Sequence, residues 1–220
     1  MFRLLESDDP ALRLPIKPVT RYVVGLDLGQ TADYTALCVL GWECTPDVPK
    51  PVYRVSHLER FPLNTKYTDM VRAVVTLCRR PEMAGNWQLV PDGTAVGHPV
   101  VDMFREALSE YPRRVHPISI TGGNTASSSA VGTHVPKRDL VMVLKVLLEA
   151  KRIEFAGGLP ETATLIREAL NFQVKITASA HDVYGAWREG THDDLVLAVA
   201  MAAWFAERKG QPKVARSRQG

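Results

Sequence analysis

The stretch Tyr22–Leu40, YVVGLDLGQTADYTALCVL, constrains this chain more than any other part of it. An apolar run rich in β-branched residues ends at Asp27, a turn follows at Gly29, and a second apolar run begins at Thr35, which is the pattern of a β-hairpin. Asp27 therefore falls in a strand whose other side chains are bound for a core. An ionised carboxylate is costly to bury unless a cation or hydrogen-bond donors face it. Two readings stand: Asp27 belongs to a cation site, or it accepts backbone N–H bonds from the Gly29 turn.

The remaining pattern describes an α/β domain over residues 21–208. Strands are predicted over 22–28, 35–42 and 52–61 before any helix, which suits an antiparallel meander. Tyr67, Met70, Val71, Val74, Leu77 and Cys78 then recur at helical spacing and stop before Pro81. A fourth strand is predicted over 87–90, a helix over 99–111, a fifth strand over 115–120 and a helix over 137–150. Another helix is predicted to start at Pro160 and end near Leu170. The tract 122–133, rich in Gly, Ser, Thr and Ala, reads as a mobile loop, and 175–187 is ambiguous, with a hairpin as one reading. In the last helix, 193–207, the uncharged run Leu195–Ala206 is shorter than the roughly 20 residues of a membrane span, so a buried helix is expected.

Residues 1–20, with Pro10, Pro15 and Pro18, read as an arm or linker, and 209–220 as a basic disordered tail without acidic residues. A length of 220 residues suffices for one well-buried core. Arg3, Glu6, Asp8 and Asp9 interrupt the N-terminus, and no secretory signal is legible there, so a cytoplasmic protein is expected. Cys38, Cys44 and Cys78 lack paired short spacing and read as free thiols. The net charge of +3 permits a polyanionic partner without requiring one.

Acidic residues stand where regular elements meet turns: Asp27 in the first strand, Asp92 after the fourth, and Asp193 and Asp194 at the start of the last helix. The order β-β-β-α-β-α-β-α can bring these positions to one edge of the sheet. Carboxylate oxygens suit Mg²⁺ or Mn²⁺, and two such ions about 4 Å apart can hold the attacking and leaving oxygens of a phosphodiester. Each acid also has a plainer reading. Asp92 in Pro-Asp-Gly-Thr fits a β-turn, and Asp193 or Asp194 fits an N-cap. Of those two we expect Asp193 to cap and Asp194 to face the sheet as a ligand. His192 reads as a metal or phosphate contact or as a surface residue. Lys137 at a helix start, and Lys209, Lys213, Arg216 and Arg218 in the tail, are candidate DNA-phosphate contacts or solvated cations.

Together YVVGLDLGQTADYTALCVL, LVPDGTAVGHPVVDMF (89–104), VPKRDLVMVLKVLL (135–148) and GTHDDLVLAVAMAA (190–203) resemble the nuclease domain of phage terminase large subunits. The resemblance covers about residues 21–208. It implies an RNase H-like fold with a central mixed five-stranded sheet, three antiparallel strands followed by alternating helices and strands, and helices on both faces. It further implies metal-dependent cleavage of double-stranded DNA during genome packaging by a two-metal-ion mechanism, using Mg²⁺ or Mn²⁺. The family's acidic ligands fall on Asp27, Asp92 and the Asp193–Asp194 pair, with Asp27 bridging the ions and the product ends being 5′-phosphate and 3′-hydroxyl. A packaging ATPase, a small terminase subunit or a portal acting in trans would be the protein partners.

Two departures accompany the resemblance. Pro91 stands before the second acid, where a small or aliphatic residue is usual, and no Gly-x-x-x-x-Gly-Lys-[Ser/Thr] phosphate loop occurs, so this chain by itself is not a packaging motor. A separated nuclease domain or a stand-alone relative, for instance one of prophage origin, is expected. Three rivals use related cores. Gly-Leu-Asp-Leu-Gly-Gln-Thr is similar to the first phosphate loop of actin-like and sugar-kinase ATPases, which need a second glycine-rich loop that Asp92-Gly93-Thr94 supplies poorly. Holliday-junction resolvases and transposases use similar acids. A catalytically inactive nucleic-acid-binding module would gain nothing from clustered carboxylates without metal.

Overall fold

Alternating apolar side chains make the first three strands, and their register fixes the edge at which the acids meet. In the computed structural model, residues 19–29, 33–44, 50–83, 85–94, 97–123, 125–129, 132–178 and 193–209 are described. Strands β1 (Val19–Asp27), β2 (Ala36–Cys44) and β3 (Tyr53–Arg60) pair antiparallel in sequence order. At one end of this meander Asp27 pairs with Ala36, and Ala36 with Arg60. β1 starts at Val19, inside the stretch read as an arm.

Helix α1 (Tyr67–Cys78) leads to β4 (Trp87–Pro91), which lies parallel to β1 on its free side. Then come α2 (Gly97–Ala107), β5 (Ile118–Thr121), β6 (Ser127–Ser128), β7 (Thr133–Pro136), α3 (Lys137–Glu149), β8 (Ile153–Phe155), α4 (Thr162–Ala178) and α5 (Asp194–Lys209). The main sheet has the order β4-β1-β2-β3-β8, a mixed five-stranded sheet as expected.

Its fifth strand is not the expected one. β8, parallel to β3, takes that place, whereas the segment read as a fifth strand over 115–120 touches β4 only through bridges at Leu89–Val115 and Asp92–Ile118. Between those bridges lies Pro91, which has no N–H to donate, so the ladder is interrupted there. β5 instead completes its ladder with β7, and β6 joins them in a second, small sheet. The tract read as a mobile loop thus contains β6 and leads into β7. A second correction concerns 175–187: residues 175–178 continue α4, and 179–187 lie outside the described residues.

Period-two alternation divides the core between the two faces of the sheet. Val23 of β1 with Ala36, Cys38 and Leu40 of β2 packs against α3, α4 and α5, while Val24, Leu26, Leu37 and Val39 pack against α1 and α2. Leu195 to Ala206 of α5 are all buried. A helix apolar on every side has to be enclosed on every side, and α5 meets the sheet on one flank and α3 and α4 on others. Among the described residues no helix is long and apolar enough to cross a membrane. Cys38 and Cys78 are free and buried, and burial pushes both thiols up, Cys78 to about 12, which keeps them protonated and inert.

Candidate metal centre

The meeting of Asp27 and Asp194 begins at a glycine. Val23, Gly25 and Asp27 face α5, and a Cβ added to Gly25 would lie 2.1 Å from the Ala198 carbonyl oxygen and 3.1 Å from Ala202 Cβ. The backbones of β1 and α5 are therefore in direct contact, which only glycine permits. From that contact Asp27 lies two residues along the strand, roughly 7 Å, and Asp194 one turn back along the helix, roughly 6 Å. Asp194 is buried, 6 % exposed, as is Asp27 at 8 %. Asp27 is held well above the usual carboxylate range by its burial first and then by the charges of Asp92, Asp194 and Asp193, with Lys137 opposing. Sequence alone left open whether the Gly29 turn satisfies Asp27. The Gly29 N–H donates to Thr35 Oγ1 at 3.0 Å instead.

Asp92 arrives from β4, where Pro91 pairs with Leu26 and the Asp92 N–H donates to the Leu26 carbonyl at 2.8 Å. The turn reading of this residue is realised. Its Oδ1 accepts the Thr94 N–H at 2.8 Å and the Thr94 hydroxyl at 2.6 Å, which is the turn, while its charge still reaches Asp27. Thr94 Oγ1 in turn accepts the Ile120 N–H at 2.9 Å, tying the turn to β5. A Cβ on Gly97 would lie 2.1 Å from the Asp92 carbonyl oxygen, so the glycine lets α2 start directly behind the acid. Burial raises the Asp92 carboxyl, and Thr94, His98 and Lys137 pull it back.

Asp193 precedes α5, and its carbonyl accepts the Leu197 N–H at 2.9 Å. The expected side-chain cap is not what its carboxylate does: Oδ2 accepts Lys137 Nζ at 2.6 Å. Lys137 is the first residue of α3, where the helix dipole disfavours a cation, and Asp193 offsets that. The capping falls to Glu168 of α4, whose Oε2 accepts the Leu195 N–H at 2.9 Å and the Val196 N–H at 3.1 Å. Sequence reasoning missed Glu168. The available signal was its spacing, since it lies three residues beyond Leu165 on the face that α4 buries. Burial, reinforced by Asp194, pushes Glu168 up to about 7, against the two backbone donors and Arg60.

The charges of Asp92, from the end of β4, and of Asp193 and Asp194, at the start of α5, thus reach Asp27 of β1, and that of Lys137 joins them. Lys209 ends α5, so it lies roughly 22 Å along the helix from Asp194. His192, Lys213, Arg216 and Arg218 lie outside the described residues.

The chemistry of this donor set fits a hard divalent cation. Carboxylate oxygens are hard donors, burial and the charges of the other three acids raise Asp27, and Lys137 opposes them. Among the described residues no group of three or more His, Cys, Asp or Glu side chains is placed so that, as it stands, it could hold a metal ion.

The family model described as the terminase RNaseH-like domain matches residues 24–204. The large terminase subunit of Thermus phage G20c is 27% identical over 205 residues, covering 92% of this chain and 36% of that protein. The chain therefore spans about a third of the length of that relative. The crystal structure of the large terminase nuclease from thermophilic phage G20c is 25% identical, covering 83% of this chain and 81% of that one with a TM-score of 0.47. A Mn-soaked human cytomegalovirus terminase nuclease domain is 13% identical, covering 84% of this chain and 83% of that one, also with a TM-score of 0.47.

Proposed function

This chain belongs to the family of terminase RNaseH-like domains, and from that premise we propose that it is an endonuclease that hydrolyses DNA phosphodiester bonds with divalent metal ions at Asp27, Asp92 and Asp194. The observation that carries the reading is the convergence of these acids from three elements at one sheet edge, where each raises the charge burden of Asp27. Nothing in the packing of a fold calls for such a cluster, since buried carboxylates without a cation are destabilising.

Each residue then has a distinct task. Asp27, the most enclosed by other acids, is the shared ligand, and Asp194 faces it from α5. Asp92 offers the oxygen that Thr94 does not hold. Asp193 and Lys137 form the rim: both side chains are about a quarter exposed, and the lysine can meet a substrate phosphate by loosening its pair with Asp193. Mg²⁺ or Mn²⁺, when bound there, supplies an activated water and neutralises charge on the leaving oxygen. Two ions, double-stranded DNA as substrate, an ATPase, small subunit or portal as partner, and action in the cytoplasm complete the proposal. Lys209, the last residue of α5, and Lys213, Arg216 and Arg218, which follow it in sequence, fit this scheme as sequence-independent phosphate contacts.

Incubation with supercoiled plasmid in Mn²⁺ or Mg²⁺ tests it. Nicked and linear products that vanish with a chelator and in Asp27→Asn are expected. An Asp27→Asn chain that cuts like the wild type would overturn the assignment.

A further inference from the structure

Glu168 is the one carboxylate beside this edge that neither the acidic cluster nor a surface ion pair explains among the described residues. It is 4 % exposed, and its two oxygens have different surroundings. Oε2 accepts the N–H groups of Leu195 and Val196, the two residues that follow Asp194, while Oε1 is buried without a hydrogen-bond partner. A plain N-cap comes from the residue that begins its own helix. Here the cap is carried in from α4, and a shorter, local alternative, Asp193, is committed to Lys137. A side-chain cap from Asp193 itself would serve the helix without placing a second carboxylate inside the protein near Asp194.

We propose that Glu168 is a positioning residue for Asp194: by clamping the Leu195 and Val196 amides it fixes the first turn of α5, and with it the direction from which Asp194 meets Asp27 and a divalent cation. This rests on the metal-site reading above. The clamp acts against repulsion. Asp27 and Asp194 push each other apart in the metal-free protein, and the first turn of a helix is where such a push is most easily relieved by fraying. Two hydrogen bonds to a carboxylate, at a site closed to water, resist that fraying. Residues that orient a metal ligand in this manner commonly change metal affinity by roughly ten- to a hundredfold when removed.

Mn²⁺ binding to the full chain, followed by electron paramagnetic resonance, tests this together with amide hydrogen exchange on the metal-free protein. Glu168→Gln keeps an acceptor oxygen at the same reach, Glu168→Asp withdraws it by one methylene, and Glu168→Ala removes it. We expect the Asp and Ala variants to bind Mn²⁺ roughly ten- to a hundredfold more weakly and to lose protection at Leu195 and Val196. Glu168→Gln is expected to stay near wild type in both, and excess Mn²⁺ to restore cleavage by Glu168→Asp. A Gln variant as weak as Ala would make the charge, not the clamp, the working part and overturn the proposal. So would a folded Asp or Ala variant with wild-type Mn²⁺ affinity. If Ala does not fold, the Asp variant carries the comparison. A wild-type chain that binds no Mn²⁺ overturns the metal-site reading itself, and amide exchange then still decides for or against the clamp.

Discussion

Gly25 and Ala198 are in backbone contact, closely enough that a Cβ on the glycine would lie 2.1 Å from the Ala198 carbonyl oxygen. The obstructing atom belongs to a buried helix backbone and cannot rotate away. Gly25→Ala must therefore lift α5 from β1, at a cost of about 1–3 kcal/mol or more. The same shift separates Asp194 from Asp27. Denaturant unfolding should show the lower stability, and Mn²⁺ titration of the folded variant a weaker site; wild-type values in both would mean the contact is not held in solution.

Asp27→Asn should move activity and stability in opposite directions. Loss of the shared ligand should reduce cleavage by at least about a thousandfold. In the metal-free protein the same change removes a buried charge that Asp92, Asp194 and Asp193 oppose, so the unfolding midpoint should rise. Added Mn²⁺ should stabilise the wild type and leave the variant nearly unchanged. A variant less stable than the metal-free wild type would argue against mutual repulsion at this edge.

The pH profile of metal-free stability has a defined sign. Asp27, Asp92 and Glu168 are all raised in the folded state, Glu168 to about 7 from 4.5. Between the unfolded and folded values the native state binds more protons than the unfolded one, so stability falls as pH rises. For Glu168 that window runs from about 4.5 to about 7. Unfolding at a series of pH values should show this decline, and Glu168→Gln should flatten it; a wild-type profile that rises across the same window would contradict the raised carboxyls.

At the far end of α5 the expected sign is reversed. Glu207 accepts Arg152 at 2.6 Å and 3.3 Å and the Tyr53 hydroxyl at 2.7 Å. Burial raises its carboxyl, but these donors outweigh it and leave Glu207 below its ordinary value. A lowered carboxylate adds stability above its unfolded value of 4.5, and that stability is lost as pH falls through the folded value. Arg152→Ala should cost about 1–3 kcal/mol at neutral pH and less in acid, while leaving Mn²⁺ affinity unchanged. Equal losses at both pH values would show that packing of the arginine stem, not its charge, is what matters.

Asp193 and Asp194 should differ in kind. Asp194→Ala is expected to abolish cleavage, whereas Asp193→Asn, which removes a rim pair with Lys137 about a quarter exposed, should change stability by less than about 1 kcal/mol and cleavage by no more than about tenfold. Single-turnover nicking assays on both variants distinguish them, and an inactive Asp193→Asn beside an active Asp194→Ala would exchange the roles.

Residue order alone carries the first four strands, the long helices and the positions of the acids. Period-two and period-3.6 apolar patterns are local, so β1, β2, β3, α1 and the buried last helix could be read from residue order. Asp27 was legible because one carboxylate interrupts a buried strand, and Asp92 and Asp194 because each stands at the end of an element. Tertiary structure decided what depends on contacts between distant residues. β8 was illegible as the fifth strand because Ile153–Phe155 is too short for a periodic signal and is defined by its partner β3. β5 left the main sheet because of an N–H that Pro91 lacks. The exchange of roles at α5, with Asp193 on Lys137 and the cap supplied by Glu168 from 27 residues away in sequence, could not be read locally. A hydrogen bond to a helix terminus goes to whichever acceptor the packing brings within reach, and only the fold sets that reach.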